Sequence, residues 1–314
     1  STFAQTLGTL RLGGQNIEAD ALAMTADGSL LAFQSNVNGG SRLISIDTMM
    51  TTATAIGPVL DGRDIRGAVM LPNGRLMTVD AANDELVVID PATGAILGAP
   101  APLTMDDQPL GVTDIVDIAV TRRGQLAMTG PATNDVLIVD WPSGEATLWF
   151  DDNVNLPGGA PPAMAGLAFS GVGDDPNKLF AYDVSHADDI VAYAGDPPAR
   201  SNLFLNIVPA FNAGRGDLAA LCPAALGDFN GDGVLNGLDI PGFKNALADA
   251  EGYKADFGGN PHILGDFNGD MVLNGLDIPG FKAGLAGAAV PEPLTLAMLA
   301  AGVLMVRGRR QSVR

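Results

Sequence analysis

The sequence predicts a mainly β protein, in which an incomplete β-propeller precedes a small α module of two loop–helix units and a short apolar C-terminal helix. Three observations predict this order. Short apolar runs alternate with turn residues over residues 1–221. A loop rich in Asp and Asn occurs twice within residues 222–286. Residues 287–314 join a Pro-Glu-Pro tripeptide to an apolar run and a basic end. These three segments are the predicted domains.

A repeated hairpin predicts the propeller blades. Apolar strands joined through a turn occur in four copies, the last one weaker, at residues 23–33, 69–79, 119–128 and 166–182. The Asp-Gly or Asn-Gly dipeptide of such a turn needs φ > 0. A following strand ends in an aspartate at Asp47, Asp90 and Asp140, which are 43 and 50 residues apart. Spacings of this size with short strands are typical of propeller blades, although a β-sandwich with similar hairpins remains an alternative.

The repeats resemble the blades of NHL-like and YncE-like bacterial propellers over about residues 17–206. Residues 7–12 are predicted as the last strand of an earlier blade, and residues 217–221 could begin a further one. Since the chain starts at Ser1, we expect a fragment that lacks N-terminal blades.

The acidic composition favours a protein that binds cations. The 314 residues carry 36 acidic and 17 basic side chains, for a net charge of −19. Nucleic acid is therefore not an expected partner, because its binding needs basic patches. The single cysteine, Cys222, cannot form a disulfide within the chain. The sequence has only two histidines, which leaves few residues for histidine-based metal binding or acid–base catalysis.

Two twelve-residue loops, 228–239 and 266–277, predict a pair of calcium sites. Calcium takes six to eight oxygen ligands, which such a loop supplies from positions 1, 3, 5, 7, 9 and 12. The predicted ligands of the first loop are Asp228, Asn230, Asp232, the Val234 carbonyl, Asn236 and Asp239. Those of the second loop are Asp266, Asn268, Asp270, the Val272 carbonyl, Asn274 and Asp277. Three carboxylates in each loop repel one another without Ca²⁺, so we expect metal binding to be coupled to folding.

The eighteen-residue units 227–244 and 265–282 differ only at Gly233 and Met271. Met271 stands where a sharp turn favours glycine, so the second site is expected to be strained or weaker. We expect Pro241 and Pro279 to lie in the first turn of a helix. The predicted core between the units consists of Ile240, Phe243, Ile278 and Phe281.

The paired loops resemble the type I dockerin module. This resemblance implies two loop–helix units packed against each other and docking to a cohesin-like module on another protein. The positions that take part in partner choice in dockerins are small or apolar here, at residues 237–238 and 275–276. A module that binds calcium only for stability is the alternative.

The C-terminal residues combine Pro-Glu-Pro at 291–293, an apolar run at 294–306 and four arginines after it. This order resembles a PEP-CTERM sorting signal, which implies export, processing by an exosortase-type enzyme and transient membrane contact. Thirteen helical residues reach about 20 Å, less than the roughly 30 Å hydrocarbon core. A buried apolar helix is the alternative.

Together these features predict an exported cell-surface or extracellular binding or scaffold protein of a bacterium, whose propeller binds a polysaccharide or another protein. The alternative is an extracellular propeller hydrolase, a lactonase or a polysaccharide-active enzyme, that carries the same module. No catalytic residue is identified. Asp183, His186, Asp188 and Asp189 form either a metal site in a propeller mouth or a solvated loop, and the solvated loop is the favoured interpretation.

Overall fold

The structure is a computed structural model, and it describes residues 9–112, 116–130, 134–152, 164–169, 178–183, 189–195, 199–204, 218–220 and 222–288. The predicted sorting signal with its apolar helix lies outside these residues, as do His186 and Asp188. Within the described ranges, none of the helices combines the length and the apolar character needed to cross a bilayer.

Four antiparallel sheets of the β-propeller type follow one another along the chain, and in each the main strands neighbour one another in chain order. Blade 1 consists of Ala19–Met24, Leu30–Val37, Gly40–Asp47 and Thr52–Ala55. Blade 2 consists of Ile65–Met70, Leu76–Asp80, Glu85–Ile89 and Ile96–Pro102. Blade 3 consists of Ile118–Val120, Leu126–Thr129, Asp135–Val139 and Ala146–Asp151. Blade 4 consists of Met164–Phe169, Leu179–Asp183, Asp189–Ala194 and Ala199–Phe204. The predicted mainly β, propeller fold class is confirmed.

The matched hairpin turns of blades 1, 2 and 3 each place a glycine in the left-handed region. The φ values are 84° at Gly28, 79° at Gly74 and 75° at Gly124. Residues with a Cβ rarely adopt such values, whereas glycine adopts them readily. The predicted need for glycine in these turns is therefore confirmed.

Buried polar contacts and apolar clusters join successive blades. The Ile65 amide of blade 2 donates to Oγ of Ser41 in blade 1 at 3.0 Å. The Leu167 amide of blade 4 donates to Oδ2 of Asp117, beside blade 3, at 2.6 Å. Separate apolar clusters fill the spaces between blades 1 and 2, blades 2 and 3, and blades 3 and 4. The blades therefore pack face to face, as a propeller requires.

Two sequence predictions about further blades are wrong. The strand Arg11–Leu12 pairs in parallel with Thr52–Ala55, so it extends the outer edge of blade 1 and belongs to no earlier blade. Residues 218–220 form no strand and instead lie against the first strands of the four blades. The described residues form three smaller pairings: Gln15–Asn16 pairs with Arg11–Leu12, Leu60–Asp61 joins blade 1, and Thr104–Met105 pairs with Gln108–Pro109.

The C-terminal module contains four α-helices and two short 3₁₀ turns. The α-helices are α1 (Ile240–Ala248), α2 (Ala250–Phe257), α3 (Pro261–Leu264) and α4 (Ile278–Ala288). The 3₁₀ turns are Gly237–Asp239 and Gly275–Asp277, at the ends of the two predicted loops. Helices α1 and α4 begin with the predicted Ile-Pro-Gly sequence. Sequence analysis did not predict α2 and α3, which connect the two units.

Most of the predicted core between the two units is present. Phe243 and Phe281 are each 3% exposed and stack on one another. Ile278 is half-buried beside them. The prediction is wrong for Ile240, whose side chain is 41% exposed. The helical spacing does not explain this exposure, because Ile278 and Phe281 have the same spacing and Ile278 is half-buried.

Candidate calcium-binding site

The last carboxylate of the first loop closes the loop onto its own start. Asp239 is fully buried, and its Oδ1 accepts hydrogen bonds from the Phe229 amide at 2.8 Å and the Asn230 amide at 3.1 Å. Its Oδ2 accepts from the Asn236 amide at 2.8 Å. A carboxylate that binds three backbone N–H groups is held in one position, which is what a metal ligand requires.

The first carboxylate of this loop is held in the same way. Asp228 is fully buried, and its two oxygens accept from the Asp232 amide at 3.0 Å and the Gly233 amide at 2.7 Å. Asp232 and Asn230 lie on the solvent side of the loop. Oδ1 of Asp232 accepts from the Val234 amide at 2.9 Å. The loop thus has a buried half and an exposed half, and a cation can enter from the exposed half.

The second loop repeats this network. Asp277 is fully buried and accepts from the Phe267, Asn268 and Asn274 amides at 2.9, 3.1 and 2.8 Å. Asp266 is also fully buried and accepts from backbone amides of its own loop. The two loops therefore agree in backbone conformation as well as in sequence.

Electrostatics favour a cation in both loops. Burial raises the pKa of the Asp228 carboxyl group, and the neighbouring charge of Asp239 raises it further. Burial likewise raises the pKa of Asp266. Hydrogen bonding from Asn230 lowers the pKa of the exposed Asp232. A divalent cation would offset both the burial and the mutual repulsion of these carboxylates.

The donor set fits calcium better than zinc. Each loop offers carboxylate, amide and carbonyl oxygens and no nitrogen or sulfur ligand, which is the chemistry that calcium prefers. Among the described residues, no group of three or more His, Cys, Asp and Glu side chains stands close enough to hold a metal ion by itself. The Asn side chains and the Val234 and Val272 carbonyls would supply further oxygens, and the twelve calcium ligands stay a prediction.

Two side chains of the propeller reach the first carboxylates of the loops. Nδ2 of Asn73, in blade 2, donates to Oδ2 of Asp266 at 2.7 Å. Nε of Arg122, next to blade 3, lies 4.0 Å from Oδ2 of Asp228. Sequence analysis did not predict these contacts between residues more than a hundred positions apart.

A cavity among the inner strands of the propeller has mostly apolar side chains around it. It is lined by the first strands of the four blades and by residues 218–220, 222 and 223. Cys222 is the one titratable side chain in this lining, and burial raises its pKa to about 12. Among the described residues that line this cavity there is no Asp, Glu or His side chain. Asp183, which was predicted to lie in a solvated loop, ends a strand of blade 4 and is fully buried, so that prediction is wrong for this residue.

No protein-family profile and no curated protein matches the chain. Several solved structures resemble it at low identity. A virginiamycin B lyase from Staphylococcus aureus is 14% identical over 65% of this chain and 60% of its own, with a TM-score of 0.39. A gluconolactonase from Xanthomonas campestris is 17% identical over 60% and 62%, with a TM-score of 0.43.

A calcium-binding protein, regucalcin, from Agrobacterium tumefaciens is 12% identical over 63% of this chain and 60% of its own, with a TM-score of 0.36. The chain thus spans about three fifths of the length of these three structures. The class of the protein rests on its own four sheets, which make it a β-propeller protein with a two-loop helical module.

Proposed function

We propose that this β-propeller protein is a calcium-dependent binding or scaffold protein that acts at the surface of a bacterial cell or outside it. One observation carries the proposal: Asp239 and Asp277 are fully buried and hold matching sets of three backbone amides in two loops of nearly identical sequence. Burying a carboxylate is costly unless it is compensated. The three amides offset part of that cost, and a calcium ion would offset the rest in both loops.

Apolar residues on the outside of the module support a protein partner. Leu238 and Leu276 hold equivalent positions in the two units and are 69% and 70% exposed. Ile240, Val234 and Val272 add further exposed apolar surface. Matched exposed leucines suit docking to an apolar surface on a partner such as a cohesin-like module.

The C-terminal sequence supports the proposed location. Its Pro-Glu-Pro, apolar run and arginines have the order of a sorting signal, so an exosortase-type enzyme would process the chain after export. Extracellular calcium would then bind to both loops. The ligand of the propeller, a polysaccharide or a protein, belongs to the same proposal.

Calcium titration of the chain by isothermal calorimetry tests the metal sites. We expect two equivalents for the wild type and one for Asp239→Asn, because the neutral amide weakens the position-12 ligand. Asp249→Asn is the matched control: Asp249 caps α2 through the Gly252 amide and lies outside both loops. A chain that takes up no calcium, or an Asp239→Asn variant that still binds two equivalents, contradicts the proposal.

The partner surface has a separate test. The double variant Leu238→Asp, Leu276→Asp keeps two calcium equivalents, because neither side chain is a predicted ligand. It should lose binding to a purified cohesin-like module that the wild type binds in calcium. If the wild type binds none of a panel of such modules, the docking part of the proposal fails and the calcium part stands.

A further inference from the structure

The module sits on two successive blades through equivalent turns. In blade 2, the turn at residues 71–75 meets the second calcium loop through Asn73 and Arg75. In blade 3, the turn at residues 121–125 meets the first loop through Arg122. The two turns hold equivalent places in their blades, and each contacts the first carboxylate of a different loop.

The contact at blade 2 is built around one amide side chain. Oδ1 of Asn73 accepts from the Arg75 amide at 2.9 Å, which fixes the turn. Its Nδ2 is then directed at Oδ2 of Asp266, and the distance is 2.7 Å. The bond is charge-assisted, and Asp266 is the first predicted ligand of the second loop. Asn73 therefore positions a calcium ligand from outside the module.

The contact at blade 3 holds the module at several other points. The indole N–H of Trp141 donates to the Met271 carbonyl at 2.9 Å, and Nδ2 of Asn260 donates to the Trp141 carbonyl at 3.1 Å. The Asn260 amide donates to the carbonyl of Arg123 at 3.0 Å. Nζ of Lys254, in α2, pairs with Asp140 at 2.6 Å. Trp141 and Asn260 are 5% and 4% exposed, so the centre of this contact is closed to water.

The one sequence difference between the two units falls at this interface. Met271 is 4% exposed and belongs to one apolar cluster with Leu71 and Trp141 of the propeller. At the equivalent Gly233, a Cβ would lie 2.0 Å from Nη2 of Arg122, so the guanidinium occupies the space of a side chain. Met271 keeps the loop conformation with φ = 67°, which is costly for a residue with a side chain. Its burial against the propeller offsets that cost.

Resting on the proposed calcium binding, we propose that the module is a calcium-dependent ligand of its own propeller, and that Asn73 positions Asp266 for the metal. The docking face consists of Asp228, Gly233, Asn260, Asp266 and Met271. Calcium orders the loop that presents Asp266 and the Met271 carbonyl to the blades. Docking, in turn, holds Asp266 in its ligand position, and such coupling between two equilibria is reciprocal.

The first test measures calcium affinity in the chain carrying Asp239→Asn, so that the second loop is the remaining intact site. Asn73→Asp keeps the acceptor for the Arg75 amide but replaces the donor with a charge facing Asp266. We expect the affinity of the second loop to fall about tenfold or more. Asp27→Asn is the matched control, because Asp27 holds the same place in the blade 1 turn and bonds Thr25 and Ser29 there.

The second test observes docking directly. The chain has two tryptophans, so Trp149→Phe leaves Trp141 as its single indole. Removing calcium with a chelator should shift the Trp141 emission to the red, because the buried indole becomes exposed. Asn73→Asp should raise the calcium concentration at which the emission returns to the blue, and Asp27→Asn should not change it.

A third variant distinguishes an effect on docking from an effect on the folding of the loop. Met271→Gly makes the two units identical and relieves the positive φ. If Met271 affected only the loop conformation, the variant would melt at a higher temperature than the wild type. Because the Met271 side chain packs against the propeller, we expect a lower melting temperature and a red shift of the Trp141 emission. Unchanged affinity in Asn73→Asp, unchanged emission on chelation or a higher melting temperature of Met271→Gly overturns this inference while leaving calcium binding intact. Failure of every variant to bind calcium overturns both.

Discussion

The rings of Phe243 and Phe281 stack face to face, with centroids 3.9 Å apart and planes 9° from parallel. They come from equivalent positions of α1 and α4, and the ring of Phe229 meets both edge-on. The two loop–helix units therefore share one aromatic core. A change at this core acts on both loops at once, although each loop is closed by its own hydrogen bonds.

Phe281→Ala tests this shared core. Removing a buried ring costs about 3–5 kcal/mol of unfolding free energy, because apolar contact is lost and a cavity remains. Chemical denaturation in saturating calcium, followed by circular dichroism of the helices, should show that loss. Leu276→Ala is the control: its side chain is 70% exposed, and its free energy of unfolding should stay within about 0.5 kcal/mol of the wild type. Equal stabilities of the two variants would contradict the shared core.

Gly280→Ala tests the close approach between α4 and the second loop. A Cβ at this position would lie 2.4 Å from Cβ of Phe267, so the helix has to move away. We expect a loss of about 1–3 kcal/mol from overpacking. Helix propensity alone predicts the opposite change, a gain in stability, because alanine favours a helix more than glycine does.

The matched control is Gly287→Ala, in the same helix, where a Cβ would meet nothing within 4 Å. That variant should be as stable as the wild type or slightly more stable, because only helix propensity changes. Thermal melting of the two variants side by side measures the difference. A stabilised Gly280→Ala variant would show that the approach to Phe267 is not tight.

His262 predicts a pH dependence of the module. Burial lowers its pKa below the ordinary value of 6.5, with a further contribution from Lys254, whereas Asp140, Glu251 and Asp266 act in the opposite direction. Its Nδ1 accepts the Leu273 amide at 3.1 Å, so the bond requires the neutral imidazole. The unfolded chain therefore binds a proton that the folded chain does not bind. Stability should fall as the pH drops below about 6.5, and the His262 contribution should be constant above that value.

Denaturation in saturating calcium from about pH 7.5 down to about pH 6 measures this effect, since free Asp and Glu stay ionised in this range. His262→Gln removes the titrating group and keeps a polar side chain. The difference in unfolding free energy between the wild type and this variant should shrink as the pH falls. A constant difference would mean that His262 has the same pKa in the folded and the unfolded chain.

Ser41→Ala tests the contact between blades 1 and 2. The variant leaves the buried Ile65 amide without its acceptor, which costs about 1–3 kcal/mol. Ser29→Ala, in the exposed turn of blade 1, is the control and should change stability little. Hydrogen exchange at the Ile65 amide should accelerate in Ser41→Ala and stay unchanged in Ser29→Ala. Equal exchange rates would contradict a role of Ser41 in joining the blades.

Local signals predicted the hairpins and the conformation of the loops. Gly28, Gly74 and Gly124 are required by turns of a few residues, and a turn carries its own sequence pattern. The capping of Asn236 and Asn274 by Asp239 and Asp277 likewise lies within four residues. Such short-range geometry can be read from the spacing of residue types alone.

Contacts over long distances could not be predicted in this way. Helix α2 is short and weakly apolar, and it is held by the Lys254–Asp140 pair across the chain. The exposure of Ile240 depends on how α1 sits against its neighbours. The sequence shows Met271 at the place where the first unit has Gly233, and it predicts only a strained or weaker second site. The contact of Met271 with the propeller depends on the blade opposite it.

Residues 218–220, 222 and 223 lie along the inner strands of the blades, just ahead of the module in the chain. A covalent tether of this kind keeps the docking face close to the blade turns at every protein concentration. Dilution therefore does not separate the two parts, and a partner that competes for the docking face has to overcome a high local concentration. Cleavage of the tether in calcium would convert the contact into an ordinary bimolecular equilibrium, whose midpoint then depends on how dilute the sample is.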